Sequence, residues 1–206
     1  IRKLNTLFDG LHTFIILWAT QGFSALGSSM TSYALVIWGY QQEGSALASS
    51  LLTACSYAPY VLLSIFAGAL SDRWNKKRTM LVCDSFAALC TLSVLVLLVT
   101  GQLKLWHLYV INALNGLGNT LQQPASDVAV SLLTPREQYQ KAAGMRAFSN
   151  SLVTILSPVF ATALLSAFGI YTVIAFDLLT FTAAFLSLAF FVKLPEQDLS
   201  KRNTEQ

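Results

Sequence analysis

The chain has 206 residues, of which 54% are hydrophobic and only 11% charged, with a mean hydropathy of +0.57. A soluble domain carries about 25% charged residues, so this composition excludes a water-soluble globule and makes lipid the solvent. The net charge of +3 and pI near 8.8 do not point to nucleic acid, because the basic residues fall in short loops between apolar runs and form no single face. Cys55, Cys83 and Cys90 lie inside apolar runs at no metal-ligand spacing, which excludes a disulfide scaffold.

A helix crossing a hydrocarbon core of about 30 Å needs roughly 20 residues. Six uncharged or nearly uncharged runs meet that length: 11–40, 46–70, 79–100, 105–132, 139–167 and 170–192. Breakers or charges mark the connections. Glu43 and Gly44 follow the first run, residues 71–78 are charged, Gly101 opens the third connection, and Pro135 punctuates the fourth. Barrel strands would alternate over about 10 residues, and stretches such as 92–99 do not. Arg2 and Lys3 ahead of the first run imitate a signal peptide, but residues 10–42 carry no formal charge and far exceed an h-region. The first run therefore reads as a span.

Six helices put both ends on one side. Of the thirteen Lys and Arg, all but Lys104 fall on the side of the N-terminus, so the positive-inside rule makes that side cytoplasmic. Residues 1–192 then form one transmembrane bundle and 193–206 a charged cytoplasmic linker or tail. The sequence opens on Ile1 in place of Met, as a segment of a longer protein would.

An internal repeat is written in polar residues. Gln21, Ser24, Ser28, Thr31 and Ser32 in the first span follow i, i+3, i+7, i+10, i+11, which confines them to one helical stripe. Asn112, Asn115, Asn119, Gln122 and Gln123 repeat that spacing in the fourth span, and the same offset carries Gly27 onto Gly118 and the starts of spans two and three close to those of five and six. The chain thus reads as two three-helix units. Three is odd, so the second is upside down relative to the first, the arrangement with which transporters alternate access around a central site. The stripes either bond helices together or line a wet cavity. Five amides on one face of span four favour a cavity lined by Gln21, Ser24, Ser28, Asn112, Asn115, Asn119, Gln122 and Gln123. Span three, mostly Leu, Val and Ala, reads as lipid-facing.

The loop between spans two and three contains Gly68, Asp72, Arg73, Asn75, Lys76 and Lys77. It resembles the signature G-x-x-x-D-[RK]-x-G-[RK]-[RK] of the major facilitator superfamily of transporters, in its usual place, with Asn75 in the position of the third glycine. A left-handed turn ending the helix would accept Asn almost as well as Gly. The resemblance implies an all-α membrane fold, the N-terminal half of a twelve-helix carrier, and a cytoplasmic gate in which Asp72 and Arg73 contact the missing C-terminal half. It further implies a small-molecule substrate, a bacterial cytoplasmic membrane location and no enzymatic activity. Ser157 and Pro158, with Ala161 and Thr162, resemble the helix-five G-P signature of antiporters and predict a helix break there. Residues 27–38 and 80–85 are similar to macrolide-type drug efflux members of the superfamily.

Asp84, Asp127, Asp177 and Arg146 lie within spans, where each costs roughly 2.5–3.5 kcal/mol unless compensated. Asp84, Asp127 and Arg146 share one depth near the cytoplasmic ends, which predicts a charge cluster neutralised by Arg146, Arg73 or Lys76. Asp177 lies in the outer half without a basic residue at its depth. It is either a coupling site that takes a proton or a structural acid bonded to Ser and Thr hydroxyls. Phe23, Tyr33, Trp38, Tyr57 and Tyr60 would give the cavity an aromatic lining suited to amphipathic drugs. His12 and His107 fall near span ends and form no catalytic constellation, and no cofactor or metal motif is present. The alternatives to a half-transporter are a homodimeric six-helix carrier and an intramembrane enzyme.

Overall fold

The computed structural model describes residues 2–134 and 138–191, with side chains described for 14–65, 74–134 and 138–190. Six helices follow in order: α1 (Arg2–Glu43), α2 (Ala46–Arg73), α3 (Lys76–Val99), α4 (Leu105–Leu133), α5 (Tyr139–Phe168) and α6 (Ile170–Leu186), the last continued by a π-helical turn, Ser187–Phe191. The expected spans are recovered almost end for end, with α1 extending further toward the N-terminus. The linker or tail at 193–206 lies outside the described residues.

Among the described residues, α2, α3, α5 and α6 hold stretches long and apolar enough to cross a membrane. The other two, α1 and α4, are the helices that carry the polar stripes. Their packing shows how such sequences are accommodated: α1 lies chiefly against α5 and α6, and α4 against α2 and α3. The exposed surface is left to apolar side chains such as Val61, Ile65, Leu89, Val96 and Phe190.

The repeat is visible in these contacts. Exchanging the two three-helix units turns the α1–α5 contact into α4–α2 and the α1–α6 contact into α4–α3, and these four are the most extensive in the bundle. Individual residues follow the exchange. Trp18 Nε1 donates to the carbonyl of Met145 on α5 at 3.0 Å, and Tyr109, one repeat offset from Trp18, donates its hydroxyl to the carbonyl of Ala48 on α2 at 3.4 Å. Gly27 lies against Asp177 on α6, and Gly118 lies against Phe86 on α3. Positions 86 and 177 are again one offset apart.

Helices in lipid gain little from burying apolar surface against each other, so association depends on close packing of small residues. Gly116 provides it for α2 and α4. A Cβ there would collide with the carbonyl oxygen of Ser56 and sit 3.2 Å from Pro59.

Two apolar clusters close the ends of the bundle. One gathers Met30, Ala34, Leu35, Leu52, Val94, Leu108 and Ile174. The other gathers Phe14, Leu17, Met80, Ala125, Ala129, Leu133 and Leu188. Along α1, α3, α4 and α6 the residues between these clusters include Gln21, Ser28, Asp84, Thr91, Asn112, Asn119, Gln122 and Asp177. The interior is therefore a polar middle layer between two apolar ends.

Two expectations about backbone do not hold. Asn75 has φ −67° and ψ 116°, an extended conformation, and no described non-glycine residue has positive φ. It is not the left-handed end of α2 but the N-cap of α3, its Oδ1 accepting from the backbone N–H of Arg78 at 3.2 Å. An N-cap satisfies one of the amide donors that a helix start leaves open. The break at Ser157 and Pro158 is also absent, since α5 runs unbroken through Pro158. The proline deprives the Thr154 carbonyl of its helical donor, and membrane helices tolerate this where neighbouring groups satisfy the freed oxygen; here Thr154 borders a polar cleft.

Candidate functional site

A cleft of about 580 Å³ opens between α1, α2 and α4, with Thr154 of α5 at its edge. Its walls are Ser29, Ser32 and Tyr33 on α1, Thr53, Ser56, Tyr57 and Tyr60 on α2, and Asn112, Asn119 and Gln123 on α4. None of the lining residues is charged. The α2 wall has its own helical spacing, since 53, 56, 57 and 60 follow i, i+3, i+4, i+7. That stripe of hydroxyls and phenols is the sequence signal that completes the cleft, and of it only Tyr57 and Tyr60 were singled out from composition.

The structure splits the eight expected lining residues. Asn112, Asn119 and Gln123 face the cleft. Gln21 and Gln122 instead turn to Asp84: Gln21 Nε2 donates to Oδ2 at 3.2 Å, and Gln122 Nε2 donates to Oδ1. Ser28 turns to Asp177, Ser24 is buried, and Asn115 is half-buried beside the cleft lining without belonging to it. A stripe about 100° wide is broad enough for its two edges to meet different neighbours, and helix packing decides which edge meets what.

The expected charge cluster is also divided. Arg146 forms an ion pair with Asp127, joining α5 to α4, and both side chains are partly exposed. Asp84 is 6% exposed and is met by the two amides, so its carboxylate ties α1, α3 and α4 together. Gln122 lies more than a turn before Asp127 along α4, which places Asp84 deeper than the ion pair. Counting residues from the helix ends put the three groups at one depth, and it missed that difference.

In the loop motif, the backbone of Gly68, Asp72 and Arg73 belongs to α2, while their side chains lie outside the described residues. Lys76 Nζ donates to the carbonyl of Trp74 at 3.2 Å. Lys77 Nζ donates at 2.9 Å to the carbonyl of Ala189 in the π-helical turn, which links the start of α3 to the end of α6. A π-turn disturbs the regular i to i+4 ladder, and an ammonium is a fitting partner for a carbonyl there. His107 Nδ1 accepts from the backbone N–H of Lys104 at 3.1 Å at the start of α4. That is a capping role, and His12 lies outside the described side chains.

Asp177 is 3% exposed. Ser28 Oγ donates to its Oδ1 at 2.9 Å and Thr91 Oγ1 to its Oδ2 at 3.2 Å, which brings α1, α3 and α6 together. These hydroxyl bonds are compatible with either role for this acid.

A six-helix membrane bundle built of two inverted repeats, with an uncharged polar cleft beside buried acids, has the architecture of a carrier unit. The comparison with known families agrees: residues 17–206 match the model of the Major Facilitator Superfamily, and the chain belongs to that family. It is a family of transporters, not of enzymes. Macrolide efflux protein A of Streptococcus pyogenes is 27% identical over 183 residues, covering 89% of this chain and 45% of the relative. The protein of the same name from Enterococcus faecalis is 27% identical over 153 residues, 74% of this chain and 47% of the relative. The MFS-type transporter YfiS of Bacillus subtilis is 28% identical over 202 residues, 97% of this chain and 46% of the relative. The chain spans about half the length of these curated relatives.

Proposed function

We propose that the chain is the N-terminal half of a secondary active transporter that exports amphipathic drugs, macrolides among them, by alternating access across a bacterial cytoplasmic membrane. The observation that carries this reading is the cleft. Its volume falls in the range of about 300–1,000 Å³ typical of small-molecule sites, and its lining joins phenol rings to neutral amides and hydroxyls. Such walls offer apolar area and hydrogen bonds without a fixed charge, which suits a large substrate of mixed polarity. The relatives named for macrolide efflux support the same substrate class.

In this reading the second six-helix half supplies the opposite wall of the cleft. Asp72 and Arg73 gate against it on the cytoplasmic side, and Asp127 paired with Arg146 supports that gate. Both termini and residues 71–78 are cytoplasmic, and Glu43 and Lys104 face outward. Cysteine labelling in intact cells checks the orientation: label reaching position 76 but not position 43 from outside reverses it. Transport is of the antiport type, driven by entry of a coupling ion such as a proton at Asp177, and it confers resistance to the exported drug.

The test is macrolide accumulation in cells that lack their own pumps and express the complete carrier. Expression lowers accumulation, and Asn119→Leu, at equal membrane abundance, weakens export by about tenfold, roughly 1.4 kcal/mol of binding. Unchanged accumulation on expression, or wild-type export by Asn119→Leu, refutes the reading. Saturable flux from the 206-residue chain alone favours a homodimeric carrier.

A further inference from the structure

Asp177 sits in a pocket made of oxygen atoms. Besides the hydroxyls of Ser28 and Thr91, which donate to its two carboxylate oxygens, the hydroxyl of Thr31 borders the same carboxylate. Thr31 is 5% exposed, and its Oγ1 is within reach of that carboxylate but outside good hydrogen-bonding geometry. Among the described residues Thr134 and Ser157 also have buried hydroxyls without a bonded partner, whereas Thr20, Ser32, Ser85 and Thr120 all donate to the carbonyl four residues back. A buried hydroxyl that forgoes this local partner and lies beside a carboxylate keeps its oxygen lone pairs available to a ligand.

Asp177 has no ion-pair partner among the described residues. Among the described residues its hydrogen-bond partners are neutral, Arg146 is engaged by Asp127 in another part of the bundle, and the nearest described acid along α3, Asp84, is two turns from Thr91. A carboxylate in hydrocarbon calls for a positive partner.

We propose that this pocket binds a small alkali cation of sodium size, held by the Asp177 carboxylate and the hydroxyl oxygens of Ser28, Thr31 and Thr91. All the donors are hard oxygens, which suits s-block cations and disfavours metals that prefer nitrogen or sulfur. One carboxylate gives a single negative charge, which matches a monovalent ion better than calcium or magnesium. A hydroxyl that donates to the carboxylate keeps its lone pairs for the ion.

Access runs through Ser28. Its side chain is exposed, while Thr31, Thr91 and Asp177 are buried, and one turn on, Ser32 both lines the cleft and donates to the Ser28 carbonyl at 3.0 Å. Gly27 beside it permits the close approach of α6. A bound cation bridges α1, α3 and α6, joining the two inverted units next to the cleft. Its role as the coupling ion rests on the export reading; its binding does not.

The test is thermal unfolding of the full chain in lipid nanodiscs, at fixed pH and ionic strength, in sodium, potassium or choline chloride. Sodium raises Tm saturably over choline, as a ligand that binds only the folded state must. Potassium does so less, and Asp177→Asn abolishes the shift. Thr31→Val weakens apparent sodium affinity by about tenfold, while Thr31→Ser retains it. Equal shifts in sodium and choline, or a full shift in Asp177→Asn, overturn the proposal. Where Asp177→Asn does not fold, radioactive sodium binding to the two Thr31 variants decides, and equal binding overturns it. Sodium binding without macrolide export refutes the export reading alone, and export without sodium binding refutes this site alone.

Discussion

Gly27 and Gly118 occupy equivalent places in the two three-helix units, yet they face opposite chemistry. Gly27 lies against Asp177 and Thr180, and Gly118 lies against Phe86. The same backbone contact thus presents a carboxylate in one unit and an aromatic ring in the other. The pattern extends to the other ionisable groups in the spans. At the repeat offset, Asp84 corresponds to Ala175, Asp127 to Val36 and Arg146 to Cys55. The scaffold is close to symmetric and its charges are not. Symmetry therefore accounts for packing, and the departures from it mark the positions where packing alone gives no reason for the residue.

The two glycines give the sharpest way to break this comparison. A Cβ on Gly27 would collide with the Thr180 hydroxyl and come within 3.0 Å of the Asp177 Cα, while one on Gly118 would rest at an ordinary 3.6 Å from Phe86. Gly27→Ala is expected to cost about 1–3 kcal/mol, as overpacking does. Gly118→Ala should stay within about 0.5 kcal/mol of the parent. Unfolding in detergent measures both, and equal losses would mean that the two contacts are equally tight and the asymmetry is only chemical.

A smaller effect tests the symmetric side of the comparison. Trp18→Phe and Tyr109→Phe each remove one interhelical hydrogen bond to an equivalent helix, worth roughly 0.6 kcal/mol on average in a membrane. The Trp18 bond is the shorter, 3.0 Å against 3.4 Å, so its loss should cost slightly more. A loss confined to one variant, with the other at parent stability, would show that only one of the two anchors contributes.

Much of the fold was legible in the sequence because charges and breakers punctuate it. Glu43 with Gly44, the basic loop at 71–78 and Gly101 each fall at a helix end that the structure reproduces. The polar stripes revealed the repeat for the same reason, since spacing survives whatever the helices pack against. Which neighbour each stripe residue meets is a different kind of information. Gln21 and Gln122 carry the same amide chemistry as Asn119 and Gln123, and only the placement of α3 turns the first two toward Asp84 and leaves the others on the cleft. Pro158 misled for a related reason. A proline removes one helical hydrogen bond, but a membrane helix has no better alternative than to continue.

Asn75 offers the finest test, because the family pattern and the observed geometry predict different rankings for one position. If the residue ended α2 in a left-handed turn, Gly would be best, Asn next, and Asp and Ala poorer. As the N-cap of α3, with Oδ1 accepting from the Arg78 N–H, it should instead favour an acceptor side chain. The substitution Asn75→Asp keeps that acceptor and places a negative charge at the positive end of the helix dipole, beside Lys76, Lys77 and Arg78. The expected order is Asp at least equal to Asn, then Gly lower by a few tenths of a kcal/mol, then Ala lower by about 1 kcal/mol. Ala is poor in both accounts and decides nothing by itself. The deciding comparison is Asn75→Asp against Asn75→Gly, read as unfolding midpoints in one detergent. A more stable glycine variant would return this position to the turn that the signature describes, and a more stable aspartate variant would explain how this chain does without the glycine.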